Sequence, residues 1–212
     1  MTTNMPRLGD PAPDFTAVTT IGEIGFHDWQ EDQWVLLFSH PADFTPVCST
    51  ELVALAKEEA AFRERNTKLL GLSVDSIHSH LAWHENLKQI FDVSISFPMI
   101  ADLDRNVASV FGMIHDGESS TATVRAVFVI DPTHTIRAVV YYPLNVGRNV
   151  AELIRLIDGL QMADGNGVAT PVNWCPGDKV VVPPPKTLED VDERNANKTY
   201  ERFDFYLNKK EV

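Results

Sequence analysis

The sequence predicts an α/β protein, a central mixed sheet flanked by helices, with a small C-terminal domain behind it. Three observations lead there. The apolar run Val35-Leu36-Leu37-Phe38 and the second run Lys68–Val74 bracket an amphipathic segment, which makes a β-α-β unit whose crossover should be right-handed. Thr123–Asp131 and Thr135–Tyr142 alternate as two antiparallel strands around Asp131-Pro132-Thr133-His134. Composition shifts at Asp164-Gly165-Asn166-Gly167, beyond which the chain is rich in proline and charge. The expected division is therefore residues 1–164 and 165–212.

The elements follow in order. Leu8–Phe15 is an extended, proline-punctuated lead, and Thr19–Glu23 reads as a hairpin arm around Gly22. Phe26-His27-Asp28-Trp29 is ambiguous in pattern and is expected to cover the sheet edge. After the strand Val35–Ser39, one helix is expected from Thr45 to about Arg65, with Leu52, Leu55, Ala56 and Phe62 at helical spacing. Asp75-Ser76 should cap a helix over Ile77–Phe91. A short strand at Met99–Ala101, a helical turn over Asn106–Phe111 and an amphipathic helix over Asn149–Gln161 complete the first part. The remainder holds Val180-Val181-Val182, Pro183-Pro184-Pro185, a charged helix around Leu188–Asn195 and a tail with Phe205-Tyr206-Leu207. This piece is too small to form a core alone, so it should pack on something else.

Composition narrows the function. The chain has 44% apolar and 23% charged residues and carries a formal charge of −12, from 18 basic against 30 acidic side chains. That balance disfavours nucleic acid and anionic membranes, which reward clusters of Lys and Arg. Met1–Arg7 contains no apolar leader core, and no stretch approaches membrane-spanning length. Cys48 and Cys175 form neither a Cys-x-x-Cys pair nor a disulfide framework, as expected of a cytoplasmic protein with reduced thiols.

Chemistry concentrates in Ser39-His40-Pro41-Ala42-Asp43-Phe44-Thr45-Pro46-Val47-Cys48-Ser49-Thr50-Glu51. Thr45-Pro46 signals a helix start, with a hydroxyl at the N-cap and a residue at N1 that needs no amide partner. Counting on, Cys48 falls at N3, beside unpaired backbone N–H groups at the positive end of the helix dipole, where a thiolate is favoured over a thiol. A fixed cation should add to this. Arg125 opens an otherwise apolar strand and is the candidate, held by Glu51 one turn beyond Cys48; the other reading is a surface arginine.

The stretch resembles the active-site signature of peroxiredoxins, Pro-x-x-x-Thr-x-x-Cys, and Ser-His-Pro-Ala-Asp-Phe-Thr-Pro-Val-Cys is similar to the 1-Cys (peroxiredoxin-6-like) branch. The resemblance implies a thioredoxin-like fold and a thiol-dependent peroxidase needing no cofactor and no metal. Cys48 would attack peroxide, Thr45 would donate its hydroxyl to the substrate, Pro41 would shield the thiolate, and Arg125 would contact both sulfur and peroxide. His40 resembles the histidine beside the sulfur in the 1-Cys branch, or is a solvated turn residue. Arg148 matches a second family arginine, or is an exposed residue ahead of a helix. Hydrogen peroxide and organic hydroperoxides are the implied substrates, with an antioxidant role. The reductant would be an external thiol from a thioredoxin, glutaredoxin or glutathione system. The C-terminal piece resembles the domain that reaches a partner subunit, which implies a homodimer, in some relatives a ring.

Cys175 is the resolving thiol on simple counting, but its Asn-Trp-x-Pro-Gly-Asp setting differs from the resolving positions of 2-Cys relatives. His78, His80 and His84 share a helix, with the i, i+4 spacing of a metal pair at His80/His84, yet no third ligand is evident and solvation accounts for them. The phospholipase serine of some relatives is replaced by Gln33, and Thr133 stands in place of their Asp, so only His27 remains and no lipase activity is expected. A non-catalytic alternative is a holdase chaperone.

Overall fold

The computed structural model describes residues 5–212, so the first four residues of the Met1–Arg7 segment lie outside it. The chain forms two compact units, one ending at Val150 and the other running Ala151–Val212. The first holds β1 (Thr16–Thr19), β2 (Gly22–Gly25), α1 (Phe26–Gln30), β3 (Trp34–Ser39), α2 (Pro46–Lys57), α3 (Glu59–Glu64) and β4 (Thr67–Ser73). Then come α4 (Ile77–Phe91), β5 (Met99–Ala101), α5 (Asn106–Val110), β6 (Arg125–Ile130) and β7 (Ile136–Tyr142). α6 (Val150–Asn166) leads into the second unit, with β8 (Val180–Val181), α7 (Leu188–Ala196), β9 (Glu201–Arg202) and β10 (Asn208–Lys210).

Seven strands make one mixed sheet in the order β2-β1-β5-β4-β3-β6-β7. β3, β4 and β5 are parallel neighbours, while β6 runs antiparallel to β3 and β7 antiparallel to β6. This is a thioredoxin-like arrangement, as the sequence implied. Strand alternation sorts the side chains. Val35 and Leu37, Leu70 and Leu72, and Ala126, Phe128 and Ile130 join one buried cluster with Phe26, Phe111 and Met113. Leu36, Phe38 and Val127 point to the opposite face, and so does Arg125. Burying each such leucine or phenylalanine stabilises the fold by about 1.5–3 kcal/mol.

The structure corrects several expectations. The single helix over Thr45–Arg65 breaks at Glu58, which adopts φ −97° and ψ 5°, and resumes as α3. Of Asp75-Ser76, only Ser76 caps α4, accepting from the Ser79 amide at 3.2 Å. Asp75 instead accepts from the Asp43 amide and the Ser73 hydroxyl. Phe26–Trp29 forms a short helix whose Phe26 is fully buried and stacked on Phe15. α6 runs on to Asn166, past the expected end at Gln161. The tail, for which no strand was expected, supplies two strands of a three-stranded sheet ordered β8-β10-β9. Within this unit Val168, Trp174 and Val180 form a small buried cluster.

Candidate active site

β3 ends at Ser39 and the chain turns into α2, so the loop Ser39–Thr45 lies at the carboxyl end of a central parallel strand, where open α/β sheets place their sites. Pro46 opens α2 at N1, which puts Cys48 at N3, as the sequence requires. Cys48 has no exposed surface. Thr45 occupies the N-cap in extended conformation, but its hydroxyl does not cap; it donates to the Ala42 carbonyl at 2.9 Å. The hydroxyl expected at the N-cap is thus turned to the loop instead. Just before it, Phe44 sits at φ 55°, left-handed territory that is unusual for a bulky side chain.

Arg125 and Arg148 converge on α2. Arg125 Nη1 donates to Cys48 Sγ at 3.3 Å and to Glu51 Oε2 at 2.6 Å. Its Nε and Nη2 both donate to the Leu144 carbonyl, at 3.1 and 2.7 Å. Arg148 grips the same carboxylate from the other side: Nε donates to Oε1 and Nη2 to Oε2, each at 2.8 Å, and its backbone amide adds a third bond. Arg148 Nη1 donates to the Ser39 and Ala126 carbonyls, and its guanidinium lies over the Phe38 ring. Arg125, Arg148 and Glu51 are all buried. Burial works against the charge on Glu51, but Arg148, with Arg125 behind it, outweighs that and lowers the carboxyl below its ordinary value. The surface readings of both arginines are set aside by this geometry. All three nitrogens of each guanidinium donate, a spread that Lys cannot reproduce.

A second buried network lies beside the first. His40 has no exposed surface, so the solvated-turn reading fails. Its Nε2 meets Asp43 Oδ1 at 2.9 Å, its ring packs on Trp83, and its carbonyl accepts from the Thr123 hydroxyl. Asp43 Oδ2 meets His80 Nδ1 at 2.8 Å. His80 is thus buried and bonded, which corrects the expectation that the α4 histidines are solvated. His40 does not bond the sulfur; its Nδ1 has no partner among the described residues. His40, Asp43 and Asp75 bring ligand-type atoms within 4.8 Å of one another. Their hydrogen bonds to His80, Ser73 and the backbone already account for that closeness.

His84, one turn beyond His80, gives a pH prediction. Burial first, then the neighbouring His80, lowers its ring from 6.5 to about 4. The unfolded chain therefore binds this proton first, and stability falls as pH drops from about 6.5 towards 4. His40, lowered by burial, acts in the same direction, whereas His80 is raised, so its contribution is lost as pH rises. Replacing His84 with Leu is expected to flatten the acid-side fall of the urea midpoint; an unchanged slope would remove His84 from the account.

Cys175 is exposed, in a turn where its amide donates to Asp178. Gln33 bonds Asn66, His27 stacks on His134 and Thr133 bonds Asp131, so the three positions that match the lipase residues of some relatives are engaged separately. Sequence reasoning missed Asp43 and His80 as members of the buried network. The signal was the placement of Asp43 three residues after His40 inside the motif.

Comparison with known proteins gives the family. Residues 8–139 match the AhpC/TSA family, and residues 159–198 match the C-terminal domain of 1-Cys peroxiredoxin. A peroxiredoxin of Aquifex aeolicus is 53% identical over 219 residues, covering 99% of this chain and 98% of its own. The structure of a yeast mitochondrial 1-Cys peroxiredoxin superposes with a TM-score of 0.89 at 43% identity, covering 98% of this chain and 100% of that one. A Cys-to-Ser variant of peroxiredoxin 6 from Arenicola marina gives 0.88 at 37% identity, with 97% of each chain covered. The chain belongs to the AhpC/TSA family and, within it, to the peroxiredoxins of the 1-Cys branch, which are thiol-dependent peroxidases.

Proposed function

We propose that Cys48 is the peroxidatic sulfur of a 1-Cys cycle. The observation that carries this reading is the Arg125 bond to Sγ, made by a guanidinium that Glu51 and Leu144 hold in place. The sulfur attacks one oxygen of hydrogen peroxide or an organic hydroperoxide. The O–O bond breaks, the sulfur is oxidised to sulfenic acid, and hydroxide or alkoxide leaves and takes a proton. Arg125 and the Thr45 hydroxyl orient the peroxide, Pro41 shapes the turn and shields the sulfur, and Glu51 and Arg148 fix Arg125.

An external thiol then reduces the sulfenic acid. The yeast relative resolves its thiol through glutathione/thioredoxin systems, and a reductant of that class is proposed here. The match to the 1-Cys C-terminal domain favours this over resolution by Cys175. The same match supports a homodimer in which residues 165–212 pack on the partner, with a larger ring as its extension. No helix among the described residues is long and apolar enough to cross a membrane. The yeast relative is mitochondrial; for this chain a cytoplasmic, antioxidant role is proposed.

The test is mass spectrometry after stoichiometric peroxide, with turnover assays on Cys48→Ser and Cys175→Ser. Oxygen should add to Cys48 with no disulfide following; Cys48→Ser should be inactive and Cys175→Ser should turn over normally with thioredoxin. Loss of thioredoxin-supported turnover in Cys175→Ser alone would shift the assignment to a 2-Cys cycle. Holdase activity, if present, should survive Cys48→Ser.

A further inference from the structure

One buried carboxylate is shared by two buried imidazoles that differ in what lies behind them. On α4, both nitrogens of His80 face acceptors: Nδ1 meets Asp43 Oδ2 at 2.8 Å and Nε2 meets the Ile100 carbonyl at 3.1 Å. A carbonyl oxygen has no proton to give, so Nε2 must carry one. In the active-site loop, His40 Nε2 meets the other oxygen, Asp43 Oδ1, while its Nδ1 is buried with no partner among the described residues. A proton on that Nδ1 would be an unmatched buried donor and would leave a lone pair facing Asp43.

We infer that His80 is a positioning residue: as an imidazolium it holds Asp43 as a carboxylate, and Asp43 then locks His40 as the neutral tautomer with its proton on Nε2. The inference rests on Cys48 being the peroxidatic sulfur, since its consequence concerns the loop that carries Cys48. That loop is given a bare Nδ1, an acceptor able to take a proton, instead of a second cation competing with Arg125.

The charged neighbours agree with this assignment. Asp43 and Asp75 face both rings, and His84 adds a neutral ring on the same helix. Burial opposes charge on all of them. The bonds from His40 and His80 nonetheless hold the Asp43 carboxyl well below the usual carboxylate range, and Asp43 raises His80. Burial lowers His40, with the His80 charge acting in the same direction. Only one of the two rings therefore carries the second proton. If His80 could not be charged, Asp43 would turn to His40 as its cation.

The test uses the full-length, 15N-labelled protein and long-range proton–nitrogen correlation of the imidazole rings across pH. At neutral pH His80 should show two protonated nitrogens, and His40 a protonated Nε2 with a bare Nδ1. A neutral His80, or a His40 proton on Nδ1, overturns the inference. These ring states are read without turnover, so they stand or fall separately from the peroxidase assignment. In His80→Gln, His40 should gain its proton at higher pH than in the wild type. The pH profile of Cys48 oxidation by hydrogen peroxide should acquire an inflection at that midpoint. A folded His80→Gln with the wild-type profile also overturns it. Should the variant not fold, the wild-type ring states still decide.

Discussion

Glu51→Ala is expected to lower stability by about 3–5 kcal/mol, because it strips the shared partner from two buried guanidiniums. In the native protein the Glu51 carboxylate accepts four bonds, one from Arg125 Nη1 and three from Arg148, through its amide, Nε and Nη2.

 Without the carboxylate, two like charges face each other with little water to screen them. Urea unfolding near pH 7 checks the loss; a midpoint equal to that of the wild type would show that the arginines find other partners. Glu51→Gln separates charge from shape. Its deficit should be full above the ordinary carboxyl value of 4.5 and shrink as pH falls through the lowered folded value, because the native Glu51 is then protonated as well.

Arg125→Met is expected to slow the reaction of Cys48 with peroxide by about 10²–10³-fold, the usual cost of removing one preorganised donor from a buried reacting centre. Met keeps much of the volume and none of the donors. Arg125→Lys should fall in between. A lysine keeps the charge but cannot serve the sulfur, Glu51 and the Leu144 carbonyl together from one ammonium. Stopped-flow oxidation of the reduced protein gives the rate, and iodoacetamide labelling of Cys48 gives its nucleophilicity without peroxide. If Arg125→Met oxidises and alkylates as fast as the wild type, the guanidinium has no part in the chemistry.

Much of this site was legible from residue order. Pro46 after Thr45 fixes where α2 begins, and three further residues bring the chain to Cys48 at N3. An arginine at the head of an apolar strand needs a buried acceptor, and Glu51 is the acid one turn beyond the cysteine. The histidines were harder to read. The i, i+4 pair His80/His84 suggested ligand spacing or solvation, whereas the partner that decides His80 is Asp43, on another loop 37 positions away. Periodicity on one helix carries no information about such a contact. The break at Glu58 and the two-residue strands at Val180–Val181 and Glu201–Arg202 escaped for a related reason: they are too short to set up a repeating pattern.

The clamp around α2 also has a consequence for the oxidised protein. Arg125 and Arg148 bring two positive charges and Glu51 one negative charge into a region with almost no solvent. An ionised Cys48 makes that region electrically neutral. In the proposed cycle, conversion of the sulfur to a neutral sulfenic acid leaves one positive charge unmatched in a poorly solvated place. The spent site is thereby less settled than the fresh one, and it attracts an anion. A reductant arriving as a thiolate carries the missing negative charge, so the imbalance left by one half of the cycle favours the reagent that begins the other.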